Sequence, residues 1–452
     1  MGPWSAGPYH TGYYACPFPL EDAPVVGFPI QSSPPSAQKC NLVTTLSPSD
    51  RLHHILHSFK HFSWDNPELS PAAIRVAKEV LRFIAKPDRQ YECEEFSGVW
   101  REEFETIVEF IEDNHNFGLK PRLTYIDSDS TLIVEMPSAV HDAPLTALHS
   151  VFTCFLKNLP FDRASINTNV LGNIEASDSL APDLRVSLQN MRDVAAEVTI
   201  PIIGETVFSQ HTDVLMDKLQ DALDADPSLK MIIMAVVTES QRYSSPAKES
   251  PSRMAFMRDG SVRSAKDFIS ATNVLPTLDA PVIVEGHMWS LVESVTFKVW
   301  VRGDEAIDLE SCDPDFMAEG TLYPVDNMDP VIDMIQKGVN ILREQIISMA
   351  LAIDPDVDSA ALRDPTIKFC VRKDDIITKI AGAMHETAYR RYSAWYAKAS
   401  KALKRKSAFE QLQPTIGPPA TNTRAKTRTK AKQRVPVGVS HVSVRLLRRK
   451  ET

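Results

Sequence analysis

Apolar residues recur at helical spacing toward both ends of the chain and at strand spacing between them. Ser49 offers a cap for a first amphipathic stretch, with Leu52, Ile55, Leu56, Phe59 and Phe62 on one face. Ser70 and Pro71 open a second, striped by Ile74, Ala77, Leu81 and Ile84 and stopped by Pro87. A third covers about residues 99–114, with Trp100, Phe104, Ile107, Val108 and Ile111 inward. The period then shortens. Arg122–Ile126 and Thr131–Glu135 predict strands joined by a polar turn. Residues 145–159 predict a helix, and 165–171, 183–188 and 200–208 predict three strands. Thr212–Ala225 predicts an amphipathic helix with Leu215, Leu219 and Leu223 at helical spacing. The continuous apolar run 231–237 predicts a strand buried on both faces. Residues 239–270, rich in Ser, Pro and mixed charge, predict a long surface loop. Strands at 281–285 and Val292–Val301 follow, then helices at about 329–351 and 374–406.

This order predicts an α+β fold: a central mixed β-sheet flanked by helices, with N-terminal helices, a long C-terminal helix and disordered tails. Residues 1–45, rich in Pro, Gly, Ser and Tyr, predict a disordered segment. Residues 46–370 predict one globular domain, 374–408 the long helix, and 409–452 a basic disordered tail.

Composition narrows the classes. The 452 residues are 43% apolar, enough for a packed core, yet contain no apolar run of the roughly 18 residues a membrane span requires. Prolines 17, 19, 24 and 29 break up an N-terminus that lacks a basic leader, so no secretory signal is read. Six scattered cysteines without a C-x-x-C pair predict reduced thiols and an intracellular protein. The net charge of −10 divides unevenly: residues 401–452 hold fourteen Lys/Arg against two Glu, leaving an acidic body. Such a body repels phosphates outside local basic patches. The tail carries Arg424, Lys426, Arg428, Lys430, Lys432 and Arg434, a pattern for nucleic-acid contact or nuclear import. A solubilising tail is the alternative.

The candidate chemistry lies in two apolar runs. Asp183 begins one and Glu205 lies in the other, and two carboxylates on adjacent strands can hold a divalent cation. Pro182-Asp183 and Glu205 resemble the motif of the PD-(D/E)XK, or restriction-endonuclease-like, superfamily, over a core of about residues 99–240. The resemblance implies Mg²⁺ held by Asp183 and Glu205, and a lysine two positions after the glutamate. That position is Val207. Gln210, Lys218 and Lys230 are the candidate substitutes, and Glu103 or Glu135 the candidate third acid. Segments 203–210, 284–289 and 320–325 are similar to a group of uncharacterised proteins of mushroom-forming fungi, which implies a shared fold. The expected protein is nuclease-like, with a core that is degenerate if the lysine is lost. The alternative is a non-enzymatic interaction scaffold, in which Asp183 bonds local amides and Glu205 pairs with Arg185.

Three further features carry candidate chemistry. His53, His57 and His61 fall one turn apart and, with His54 beside them, suit either a zinc ligand set or a solvated face. Tyr389, Tyr392 and Trp395 among cations suit either base stacking or inward packing, and packing is the expectation. Arg242, Lys248, Arg253, Arg258, Arg263 and Lys266 place cations in the 239–270 loop, expected near any substrate groove. No P-loop, dinucleotide fingerprint or G-x-S-x-G elbow occurs.

Overall fold

The computed structural model describes residues 71–85, 93–113, 121–126, 129–172, 181–193, 195–208 and 212–412. The predicted N-terminal segment, the helix with the histidine stripe, Gln210 and the basic tail from residue 413 lie outside the described residues.

The fold is α+β, with a mixed six-stranded sheet at its centre. A small layered unit comes first: helix α1 (Pro71–Ala85), strand β1 (Cys93–Ser97), helix α2 (Arg101–Asp113), and strands β2 (Arg122–Ile126) and β3 (Thr131–Glu135). Its antiparallel sheet has the order β1-β3-β2. Alternation on β3 turns Leu132 and Val134 toward the helices, where they join Val80, Leu81, Ile84, Ile107 and Phe110 in a cluster of their own.

The main body opens with α3 (Ala139–Asn158), followed by β4 (Ile166–Leu171), β5 (Leu184–Asn190) and β6 (Thr199–Phe208). The β4–β5 and β5–β6 pairs are antiparallel. Helix α4 (Thr212–Ala225) then crosses over so that β7 (Met231–Glu239) lies parallel to β6. The buried run predicted for this strand is fully covered through Ala235. Strands β8 (Val282–Val284) and β9 (His287–Ser290) form a separate pair, while β10 (Val292–Val301) and β11 (Met317–Tyr323) extend the main sheet to the order β11-β10-β7-β6-β5-β4.

Between β7 and β8 the predicted loop contains two short helices, α5 (Pro251–Arg258) and α6 (Ala265–Ser270), each capped by a serine, Ser250 and Ser264. Phe256 and Phe268 from these helices are buried, so the segment packs on the body instead of running free over the surface. Helices α7 (Asp329–Ile353), α8 (Ser359–Leu362) and the 40-residue α9 (Lys373–Leu412) complete the chain described. Tyr392 and Trp395 of α9 are buried against Phe256, Phe268 and Trp289, as packing predicts and base stacking does not. The Tyr392 hydroxyl accepts the Arg263 amide at 2.9 Å.

One sheet face packs on α3, α7 and α9, the other on α4. Gly204 permits the close approach of α3: a Cβ there would lie 3.1 Å from Leu184 Cβ and 3.3 Å from Leu145 Cδ1. Among the described residues no helix is long and apolar enough to cross a membrane.

Candidate functional site

Glu205 and Asp183 meet where β5 begins. Leu184 pairs with Gly204 across the β5–β6 ladder, so extending the register by one residue sets Asp183 opposite Glu205. Side chains in such opposed positions share a sheet face. Beyond this point β6 continues without β5, and the Asp183 carboxylate takes over the missing ladder: its Oδ2 accepts the Thr206 amide at 2.8 Å. A Cβ at Gly172 would lie 2.8 Å from the Asp183 carbonyl oxygen, so glycine is required where the end of β4 passes.

Other elements complete the cluster. Lys218 belongs to the inward stripe Leu215, Lys218, Leu219, Ala222 of α4, and it is buried like its neighbours. Its ammonium lies 3.1 Å from Glu135 at the end of β3. Arg122, which pairs in register with Glu135 across β2–β3, reaches Asp142 at 3.1 Å and forms an ion pair with Asp183. His141 enters from the first turn of α3. That turn is capped by Ser138, whose Oγ accepts the His141 amide at 3.3 Å. The His141 Nδ1 stands 3.3 Å from Asp142 and 3.9 Å from Asp183. The Asp183 side chain is 2% exposed and that of Asp142 is 44% exposed, so the cluster is closed at the sheet and open toward α3.

The charges do not balance. Four carboxyls (Glu135, Asp142, Asp183 and Glu205) face two permanent cations, Arg122 and Lys218. Protons make up the difference. Burial and then the Asp183 charge hold Glu205 well above the ordinary carboxyl range. Burial opposes a charge on His141, but Asp183 and the bond to Asp142 outweigh it and raise the imidazole. Glu135 is lowered: burial works against ionisation, and Lys218, His141 and Arg122 together more than offset it. Arg122 is raised in the same way, with Asp183 and Glu205 overcoming its burial. The Glu205 carboxyl has no hydrogen-bond or ion-pair partner among the described residues, although the residue is only 7% exposed.

The expected residues are therefore sorted by position. Asp183, Glu205 and Lys218 come together, with Glu135 as the further acid. Lys230 does not join them: its amide bonds Pro201 O at the opposite end of the parallel β6–β7 pair, and its cationic neighbour is Arg302. Glu103 instead caps its own helix, accepting the Trp100 amide at 2.8 Å. Arg185 stands opposite Ile203, so the expected pairing with Glu205 is not the one formed. Val207 packs with Ile203, Leu215 and Leu219 in the apolar layer under α4, where a charged lysine would be buried. Among the loop cations, Arg263 is committed to Asp259 at 2.7 Å and Glu285 at 2.6 Å.

Sequence reasoning missed Arg122, His141 and Asp142. Ser138 at cap spacing before His141 was the available signal for the last two.

A divalent cation fits this donor set. Asp183, Asp142 and His141 each offer a ligand atom, all within 4.8 Å of one another. Glu205, set opposite Asp183 in the extended register, is a further carboxyl beside that group, and a bound dication would take over the charge that protons now offset. No protein-family model, curated protein or solved structure matches the chain.

Proposed function

We propose that the chain carries a nuclease-like core directed at phosphodiesters, held in a charge-compensated, closed form by Arg122. The observation that carries this reading is the arrival of Lys218 beside the paired carboxylates. A helix-borne ammonium stands in for the lysine that Val207 replaces, and its charge acts directly on Glu205. The order of a helix, three antiparallel strands, a crossover helix and a parallel strand supports the resemblance of the core to the PD-(D/E)XK superfamily. That run of elements spans residues 139–239, within the expected core of about 99–240.

Asp183 and Glu205, with His141 and Asp142, would hold the cation. When bound, it supplies Lewis acidity and an activated water. Lys218 would set its ammonium against the developing charge on a phosphate oxygen once Glu135 yields it. The water oxygen would add to phosphorus as the bond to the leaving oxygen breaks, and the proton the water gives up would end on that leaving oxygen. Arg122 opposes the cycle as it stands, because its guanidinium occupies the Asp183 carboxylate. The basic tail, including Arg424 through Arg434, supports nucleic acid as the phosphodiester and the nucleus as its place.

The Arg122–Asp183 pair also favours a second reading, a scaffold in which the cluster only joins the small unit to the body. A labelled single-stranded DNA, incubated with the full chain and Mg²⁺ or Mn²⁺, separates the two. The nuclease reading expects cleavage that is lost in Asp183→Asn and lowered by about 10²-fold in Lys218→Met. Equal product from wild type and Asp183→Asn, or none under any divalent ion, leaves the scaffold.

A further inference from the structure

We propose that this centre selects a first-row transition dication over Mg²⁺, with His141 Nδ1, Asp142 and Asp183 as ligands, Glu205 as a fourth, and Arg122 as a built-in competitor for the same place. The proposal deepens the nuclease-like reading by naming the ion, and it rests on that reading only for what the ion does.

Three observations carry it. The ligand atoms of His141, Asp142 and Asp183 already lie within 4.8 Å of one another before any ion has drawn them in. An imidazole nitrogen among carboxylate oxygens suits Mn²⁺ or Zn²⁺, whereas Mg²⁺ takes oxygen ligands and keeps much of its water. Glu205 presents a buried carboxyl that no side chain or amide among the described residues hydrogen-bonds or ion-pairs. A polar group left so in a protein interior is costly unless something else meets it.

Arg122 explains how the cluster stands without the ion. Its guanidinium bridges Asp183 and Asp142 from a side chain only 10% exposed, supplying one positive charge where a dication would supply two. It comes from β2 of the small unit, whereas all four ligands belong to α3, β6 and the approach to β5. An entering ion therefore displaces a group on a different element and leaves its own ligands in place. The route in is the side of the half-exposed Asp142.

Mn²⁺ alone is the probe. The full chain is titrated with MnCl₂, with free ion followed by electron paramagnetic resonance, and with MgCl₂ by calorimetry. The wild type should bind one Mn²⁺ at this centre at least about tenfold more tightly than Mg²⁺. His141→Ala should weaken Mn²⁺ by at least about tenfold while leaving Mg²⁺ nearly unchanged, since deleting even an outer partner of a metal ligand costs that much. Arg122→Gln should tighten Mn²⁺ by about tenfold. Equal Mn²⁺ affinity in wild type and His141→Ala overturns the proposal, as does the absence of bound Mn²⁺ in wild type and Arg122→Gln alike. If Arg122→Gln does not fold, the His141→Ala comparison decides alone. His141-dependent Mn²⁺ binding without DNA cleavage would sustain this inference and remove the nuclease reading. Cleavage with Mg²⁺ and no preference for Mn²⁺ would do the reverse.

Discussion

At the scale of residues, the centre is defined by positions that break their local pattern. Lys218 sits in an apolar helical stripe, Glu205 is the one charged residue of a buried strand, and Asp183 stands buried at the head of the next strand. Each was legible as a candidate because a charge at a core position demands a reason. Arg122, His141 and Asp142 were not. The first turn of α3 lies before Pro144, and a proline after a polar turn reads as the start of a helix. The helix in fact begins at Ala139, and the two residues that reach Asp183 are on the unread turn. The proton balance gives a test at this scale. Glu205 is raised in the fold, chiefly by burial and then by Asp183, so the folded state holds its proton more tightly than the unfolded chain does. This stabilisation is complete below the ordinary carboxyl value and is lost as pH rises through the folded value. His141, also raised, acts in the same direction from about its ordinary 6.5 upward. With EDTA present, the thermal midpoint should fall from pH 5 to pH 8, and Glu205→Gln, which fixes the neutral form, should flatten the fall. An equal decline in both proteins would refute the assignment to Glu205.

At the scale of elements, strands and helices with a clean period were legible nearly to the residue, as in Arg122–Ile126, Thr131–Glu135, Thr212–Ala225 and Val292–Val301. The segment 239–270 was not, because its two helices are short and owe their order to tertiary contacts. Phe256 and Phe268 fold in against Trp289 and against Tyr392 and Trp395, the last two more than a hundred residues later. The small unit poses the opposite case. Its buried apolar side chains form a cluster of their own, and Arg122–Asp183, Arg122–Asp142 and Lys218–Glu135 are ion pairs that tie it to the body. Removing one partner of a buried pair costs roughly 3–5 kcal/mol because the other is left uncompensated. Arg122→Ala should therefore speed amide hydrogen exchange in Cys93–Ser97, Arg122–Ile126 and Thr131–Glu135 while β6 and β7 stay protected. Unchanged exchange in the small sheet would show that other contacts hold it.

At the scale of the whole molecule, an acidic body carries a basic C-terminus, a division visible in the sequence. What the sequence could not show was which charges converge, since Arg122, Asp183 and Lys218 are brought together only by the packing of three separate elements. If the six cations from Arg424 to Lys432 and Arg434 neutralise phosphates, log affinity for duplex DNA should fall with log salt at a slope near about −5. Replacing them with Gln should bring the slope close to zero, and an unchanged slope would assign binding to another surface. The account as a whole depends on a cation entering between the two carboxylates. Anomalous diffraction at the manganese edge, from crystals of the full chain soaked in MnCl₂, tests that most directly. The account predicts one strong peak within ligand distance of Asp183, Glu205 and His141, with the Arg122 guanidinium displaced from Asp183. A map with no peak there, and Arg122 still paired with Asp183, would contradict it.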